Sequence, residues 1–433
     1  MNPGLRWGAV RQPASPPPEP PRPTGLGALR HRNYQLYFAG QVISTVGTWM
    51  QSVAMPWLAL TLTHDAFHVG LVIGTQFLPM LVAGQFGGLL ADRFPKRRIL
   101  VCTQLASIIP ASVMFLLTSQ HLAQYWMVLV AALVVGSINV VDVPSRQAFV
   151  IEMVGRRDLL NAIALNSTIF NGSAVIGPSI AGVIIGLAGV PFCFLSNAVS
   201  YIASVGTLLL MTNLPAVVKA NHQGSVLARI KEGLDYSRRD PIVGTLLLNV
   251  AVFSLFAMNR FTLLPIFADQ VLHIGATGFG FLTASQGAGA LVGALSLAIL
   301  QRRLAAGNVQ FLIGLAWSVF LVGFSFSHVY ALSIALLMLA GFCQITFIAT
   351  TNTRIQEATP DHLRGRVMAL YAQSLMGVGP VGSFQAGTLA HFFGAPFAMA
   401  FGAVVSAIFV GASRLAKPAV FKRDADPAAK PSG

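Results

Sequence analysis

Charge is what this sequence lacks most. Asp, Glu, Lys and Arg make up only 10% of its 433 residues, and the acids number 14. A soluble domain carries about a quarter charged residues, so an ordinary soluble fold is excluded. Cysteine is as scarce. Cys102, Cys193 and Cys343 all sit in apolar stretches, and an odd number so placed argues against a disulfide framework. Catalytic signatures are missing too: there is no H-E-x-x-H, no G-x-S-x-G and no G-x-x-x-x-G-K-[ST] run. The chain is read as a non-enzyme without a nucleotide-phosphate loop, with no metal centre and no cofactor. Its nine His are scattered; His64 and His68 share an i, i+4 spacing without a third ligand and read as a wet loop. No signal peptide is read at the N-terminus.

Long apolar stretches fill the rest. Hydrophobic residues reach 55% and the mean hydropathy is +0.68. The stretches run to ~20 residues or more, as a helix needs to cross ~30 Å of hydrocarbon, and they lack the alternation of a membrane barrel. Twelve spans are expected, near 34–62, 70–91, 99–118, 124–143, 161–187, 191–212, 241–268, 277–300, 309–327, 330–352, 365–391 and 396–414. The fold class is therefore an all-α membrane protein of twelve transmembrane helices in two six-helix halves. Residues 1–33, rich in Pro and basic groups, read as a disordered tail; 34–212 is the first half, 213–240 a charged linker, 241–414 the second half and 415–433 a second tail.

The net charge of +14 is not spread evenly. All but one of the 28 Lys and Arg fall in the two tails and in alternate loops, and the opposite loops carry none. Basic loops stay in the cytoplasm, so both termini are expected there, in the cytoplasmic (inner) membrane of a bacterium. The segregation explains the basic balance without a nucleic-acid partner. A monomer in the lipid bilayer is the expected state.

The halves look related. An offset of 205 residues places Glu152 on Glu357, Gly172 on Gly377, Gly177 on Gly382 and Gly182 on Gly387. Parallel repeats of this kind point to alternating access around a central site.

One charged run stands out between two apolar stretches: GGLLADRFPKRR at 87–98, read as a hairpin. Its spacing resembles the loop between helices 2 and 3 of the major facilitator superfamily, with Gly88, Leu90, Asp92, Arg93, Lys96 and Arg97 matching and Pro95 in place of a Gly. The run Gly177-Pro178 followed by Gly182 is similar to the helix-5 pattern of antiporters in that superfamily. Residues 142–167, DVPSRQAFVIEMVGRRDLLNAIALNS, resemble the signature of its subfamily of bacterial enterobactin exporters and macrolide efflux proteins. The resemblance implies a proton-coupled exporter of a drug, siderophore or other small amphipathic molecule. It also implies that Asp92 faces the start of the eleventh helix and that Lys96 pairs with Asp142, which Arg146 follows four residues on. An importer of the same fold and a membrane sensor without transport are the alternatives.

Polar groups inside a span are costly and mark candidate sites. Gln41, Ser44, Thr48, Gln51 and Met55 share one face of the first span, and Asn249, Phe253, Phe256 and Arg260 one face of the seventh. Asn166 and Asn171 mark the fifth; Gln344 and Asn352 mark the tenth. In the family fold helices 1, 4, 7 and 10 line the central cavity, so these residues, with the amides above, are its expected lining. Arg260 is the one cation within an apolar segment, a candidate contact for an anionic or catechol-like group. No Asp or Glu lies midway along a span, which leaves Asp142 as the candidate proton carrier.

Overall fold

The structure, a computed structural model, describes residues 27–212, 226–304 and 307–421. Among these residues it is helical, with no strand. Helix α1 spans Arg32–Thr63, α2 Ala66–Arg93 and α3 Lys96–Ser119. Helices α4, Tyr125–Gly155, and α5, Arg157–Ala188, follow almost without a break, and α6 is Pro191–Leu209. A linker helix, Val226–Arg239, leads into α7, built of Pro241–Phe256, Arg260–Ile266 and a π-helical turn Phe267–Val271. Then come α8 (Gly275–Leu304), α9 (Gly307–Ser325) and α10 (Tyr330–Ala358). Helix α11 is again composite, Asp361–Ala372, a π turn Gln373–Gly377 and Gly379–Phe393, and α12 is Ala395–Ala416. The alternation of direction puts the linker helix at one end of the bundle, the linker end; the α1–α2 turn and the α11–α12 turn lie at the other, the far end.

Among the described residues ten helices are long and apolar enough to cross a membrane. The remaining two long segments are α1, in which Gln41, Ser44 and Gln51 interrupt the apolar run, and α11, which its π turn divides.

The turns have local causes. Phe94 is extended, the conformation favoured before proline, so α2 continues through Arg93 and only Phe94 and Pro95 separate it from α3. The expected hairpin at 87–98 is thus mostly helix. Between α4 and α5 a single residue, Gly155, turns the chain at φ +68° and ψ −178°, a region essentially closed to residues with a Cβ. Asp240 caps α7, accepting from the amides of Ile242 and Val243 at 2.9 Å each, with Pro241 at the first helical position. Where α7 breaks, the Asn259 amide donates to the Leu255 carbonyl at 2.9 Å, taking up an acceptor the break exposes.

The flanking segments are folded as far as they are described. Ala28, in a 3₁₀ turn at Gly27–Arg30, is fully buried and its amide donates to Asn161 Oδ1 at 2.9 Å. At the other terminus Val420 and Phe421 are buried in a second such turn. Residues 1–26, 213–225 and 422–433, which hold most of the expected tails and part of the linker, lie outside the described residues.

The halves meet along two related seams. An ideal Cβ on Gly182 of α5 would sit 2.9 Å from the Cα of Gly280 on α8, and one on Gly387 of α11 would sit 3.0 Å from the Cα of Gly70 on α2. Backbones this close admit no side chain, which is how small residues join membrane helices. Gly177 likewise seats on Trp49 of α1, as Gly382 seats on Leu255 of α7. Two of the three glycine pairs aligned by the repeat therefore make equivalent contacts; the third does not, since a Cβ on Gly172 would meet nothing within 4 Å whereas one on Gly377 would meet the Gln373 side chain.

Candidate functional site

Two polar centres stand out among the described residues. The first is near the linker end of the first half. Asp142 on α4 accepts from Thr103 Oγ1 at 2.6 Å and Gln104 Nε2 at 3.2 Å, both on α3, and pairs with Arg146 one turn on. Arg146 also donates to Gln41 Oε1 on α1, and Ser44 donates to Gln104 at 3.3 Å. Buried charge is tolerated when every member is paired and hydrogen-bonded, and this network ties α1, α3 and α4 together. The second half has a counterpart: Arg354 on α10 donates to Gln310 Oε1 on α9 and to the Val420 carbonyl, each at 2.5 Å.

The 87–98 run forms an ion pair of its own, apart from this network. Lys96 is buried and pairs with Glu152 at 3.5 Å; in this conformation its partner is Glu152, where the resemblance implied Asp142. Arg97 donates to the carbonyls of Leu208 and Leu209 at 2.8 Å each, at the C-terminus of α6 where a cation is favoured. Arg93 is exposed at the end of α2. Gly88 lies within α2, and the Asp92 side chain lies outside the described residues.

The second centre straddles the halves. Arg260 opens the middle piece of α7, with its guanidinium 4.6 Å from the ring of Phe261 and 5.8 Å from the ring of Trp49, which belongs to α1 of the other half. Trp49 packs in turn on Phe170 of α5 at 5.4 Å. Arg260 Nη1 donates to Gln344 Oε1 on α10 at 3.3 Å, and Gln286 Nε2 on α8 donates to the same oxygen at 3.1 Å. Gln286 Oε1 is buried without a protein partner. The arrangement is a cation held over two ring faces beside an amide pair, where an anionic or hydrogen-bonding solute with an apolar body would fit.

Other expected lining residues face elsewhere. Gln51 accepts from Asn197 of α6 at 2.6 Å. Asn249 is buried and accepts from Ser413 of α12 at 3.3 Å. Phe253 stacks on Trp317 of α9 at 4.7 Å inside the second half, and Phe256 meets Phe401 of α12 at 6.2 Å. Thr48 bonds its own helix at the Ser44 carbonyl; Asn166 accepts from Tyr34 at 3.4 Å; Asn352 accepts from Gln356 at 2.5 Å. Gly172 has open space around it, and Pro178 presents its carbonyl to Gly280 across the α5–α8 seam. The structure thus brings Arg260 and Gln344 together. It adds Trp49 and Phe261, which the sequence reading missed because aromatic residues in apolar spans look like lipid-facing or core residues, and Gln286, a polar residue of the eighth span that the sequence reading passed over.

Comparison with known proteins places this architecture. A family described as transmembrane secretion effector matches residues 23–431. The staphyloferrin A transporter of Staphylococcus aureus is 26% identical over 83% of this chain and 89% of its own. The multidrug efflux pump Tap of Mycolicibacterium fortuitum and the enterobactin exporter EntS of Escherichia coli are each 26% identical over 80% of this chain, and over 87% and 83% of their own lengths. Among solved structures, the nucleoside transporter NupG superposes with a TM-score of 0.67 at 13% identity, covering 90% of this chain and 100% of its own. A bacterial homolog of the human lysosomal transporter spinster, inward-facing, gives 0.67 at 15% identity over 90% and 95%. With the match running through both halves and their polar centres, the chain belongs to the transmembrane secretion effector family of the major facilitator superfamily.

Proposed function

We propose that the chain is a secondary active exporter that moves a small amphipathic, anionic or polar-headed molecule out of the cytoplasm in exchange for protons. The observation that carries this reading is Arg260 at the seam between the halves. A cation in the apolar part of a bundle costs ~2.5–3.5 kcal/mol. Ring faces from both halves return part of that, and a substrate anion would supply the rest. A site shared by both halves is where alternating access needs it. The linker end is assigned to the cytoplasm by the charge segregation, and the monomer is taken as the transporting unit. The 87–98 run then bears on the cytoplasmic gate, with Lys96 exchanging Glu152 for Asp142 and Asp92 meeting the start of α11 as the halves rock.

Everted membrane vesicles test the proposal. Energised with a proton gradient, they should accumulate a fluorescent amphipathic anion several-fold over vesicles lacking the protein, and collapse of the gradient should abolish the difference. Equal accumulation across a panel of anions, zwitterions and cations, with and without the protein, would remove the exporter reading.

A further inference from the structure

At the far end a second, smaller polar cluster joins the halves. Asp65 caps α2, accepting from the Phe67 amide at 3.2 Å. Its Oδ2 meets His68 Nδ1 at 2.5 Å within the same half, and its Oδ1 meets His391 Nδ1 at 2.6 Å on α11 of the other half. Beside it Phe67 and Phe384 meet edge to face at 5.4 Å, again across the halves, and one turn deeper lies the Gly70–Gly387 contact. Tyr125 of α4 donates to the His68 carbonyl at 3.0 Å and packs on its ring at 4.7 Å. The titratable groups around Asp65 are therefore His68 of α2, Tyr125 of α4 and His391 of α11, with His64 next to it at the end of α1. No Lys or Arg is recorded against this cluster among the described residues.

We propose that Asp65 and His391 form a proton-binding latch that closes the far end of the transporter when the solution there is acidic. The chemistry is a state-dependent charge pair. Separation of the halves at this end must break the Asp65–His391 contact, so the pair exists only in the closed state. His391 Nδ1 faces the carboxylate, which leaves Nε2 to take a proton from water; its side chain is 46% exposed. Uptake converts an N–H donor into an imidazolium and the contact into a charge-assisted pair, the stronger kind. Histidine titrates between about pH 5 and 8. Asp65 stays an anion over that range. Burial pushes its carboxyl up, but the hydrogen bonds from His391, from the Phe67 amide and from His68 outweigh this and hold it below the ordinary carboxylate range.

The inference deepens the proposed function, which supplies only the compartment. If the far end faces outward, external protons favour the state open to the cytoplasm, which is the return step an exporter driven by protons requires. The latch holds its proton at the surface, so it sets the gate and does not itself carry the proton across.

The test uses the full chain in lipid nanodiscs, with Cys102→Ala and spin labels at Leu122→Cys and Val329→Cys, exposed far-end positions of the two halves. Between pH 8 and pH 5.5 the ratio of far-end-closed to far-end-open molecules should rise by about twofold to fivefold, the range of a partly exposed ion pair. His391→Ala and Asp65→Asn should each flatten that response. His391→Lys, which keeps a charge at every pH used, should hold the closed fraction high at pH 8 as well. A pH response that survives His391→Ala, or a distance distribution that ignores pH in the parent chain, overturns the latch. Nanodisc distances carry no information on transport. A latch that behaves as described in a chain that fails the vesicle assay would reject the exporter reading alone, and the converse would reject the latch alone.

Discussion

Arg260 is the residue on which substrate recognition should turn. Its planar guanidinium can lie over the Phe261 and Trp49 rings while donating to Gln344; an ammonium can make the charge but not the fork. Arg260→Ala should lower transport of an anionic substrate at least tenfold, the equivalent of ~1.4 kcal/mol, with membrane insertion unchanged. Arg260→Lys should recover only part. Transport assays at several substrate concentrations decide this, and normal transport by the Ala variant would reduce Arg260 to a packing residue. A second test concerns Lys96. Removing one member of a buried pair leaves the other uncompensated, so Lys96→Glu and Glu152→Lys should each reduce transport and the double swap should restore part of the loss, whereas additive losses would reject the coupling. Arg260 was legible in the sequence because it is the one cation away from the linker end. Gln344 was legible too, as a polar group in the tenth span, but the ring partners were not, since Trp49 and Phe261 carry no mark that separates a ring against a cation from a ring against lipid. The helical face through Asn249 and Phe253 was read from spacing alone, and spacing cannot say which neighbour a face meets. Asn249 is turned to α12 and Phe253 to α9.

The helices themselves were mostly visible as apolar runs, and their interruptions were not. The sequence places a loop between α4 and α5 because charges cluster at 152–158; the structure needs only Gly155 there. The composite forms of α7 and α11 also escaped, because π turns at 267–271 and 373–377 leave no signature in hydropathy. The glycines spaced by five were visible, and their contacts now separate those that matter from those that do not. A Cβ on Gly280 would fall 2.6 Å from both the Gly182 Cα and the Pro178 carbonyl, and no flexible side chain is there to yield. Gly280→Val should cost ~1–3 kcal/mol of the closed far end, visible as faster labelling of a single cysteine placed between α5 and α8. Gly172, with nothing near its would-be Cβ, should accept Ala within ~0.5 kcal/mol. Equal behaviour of the two variants would mean that the α5–α8 seam does not limit opening. Gly155→Ala offers a third case, with a backbone cost of ~1–3 kcal/mol expected from its φ of +68°.

For the molecule as a whole, one number organises the fold: a net charge of +14 that is carried almost wholly at the linker end. The structure gives that end individual anchors. Arg97 reaches the α6 carbonyls, Arg366 pairs with Glu232 of the linker helix, and Arg414 donates to Asn308 at 2.7 Å. The far end is finished differently, by His64, His121 and His273 in left-handed turns and by the Asp65 cluster. A basic face of this kind resists translocation and is drawn to anionic lipid by about 1 kcal/mol per residue near the surface, so each half should insert with its linker end in the cytoplasm. The expected outcome is concrete. In intact cells a membrane-impermeant thiol reagent should label His121→Cys and His328→Cys, both at the far end, and should leave His31→Cys and Lys417→Cys unlabelled until the membrane is opened. Native Cys102, the exposed one of the three cysteines, is replaced in each case. The four positions sample both halves, so a consistent result fixes the orientation of each independently. Labelling of His31→Cys together with His328→Cys would place the halves in opposite orientations, which parallel repeats do not allow. Labelling of His31→Cys and Lys417→Cys alone would invert the whole molecule and turn the proposed exporter, with its acid-closed outer gate, into a transporter whose latch senses the cytoplasm.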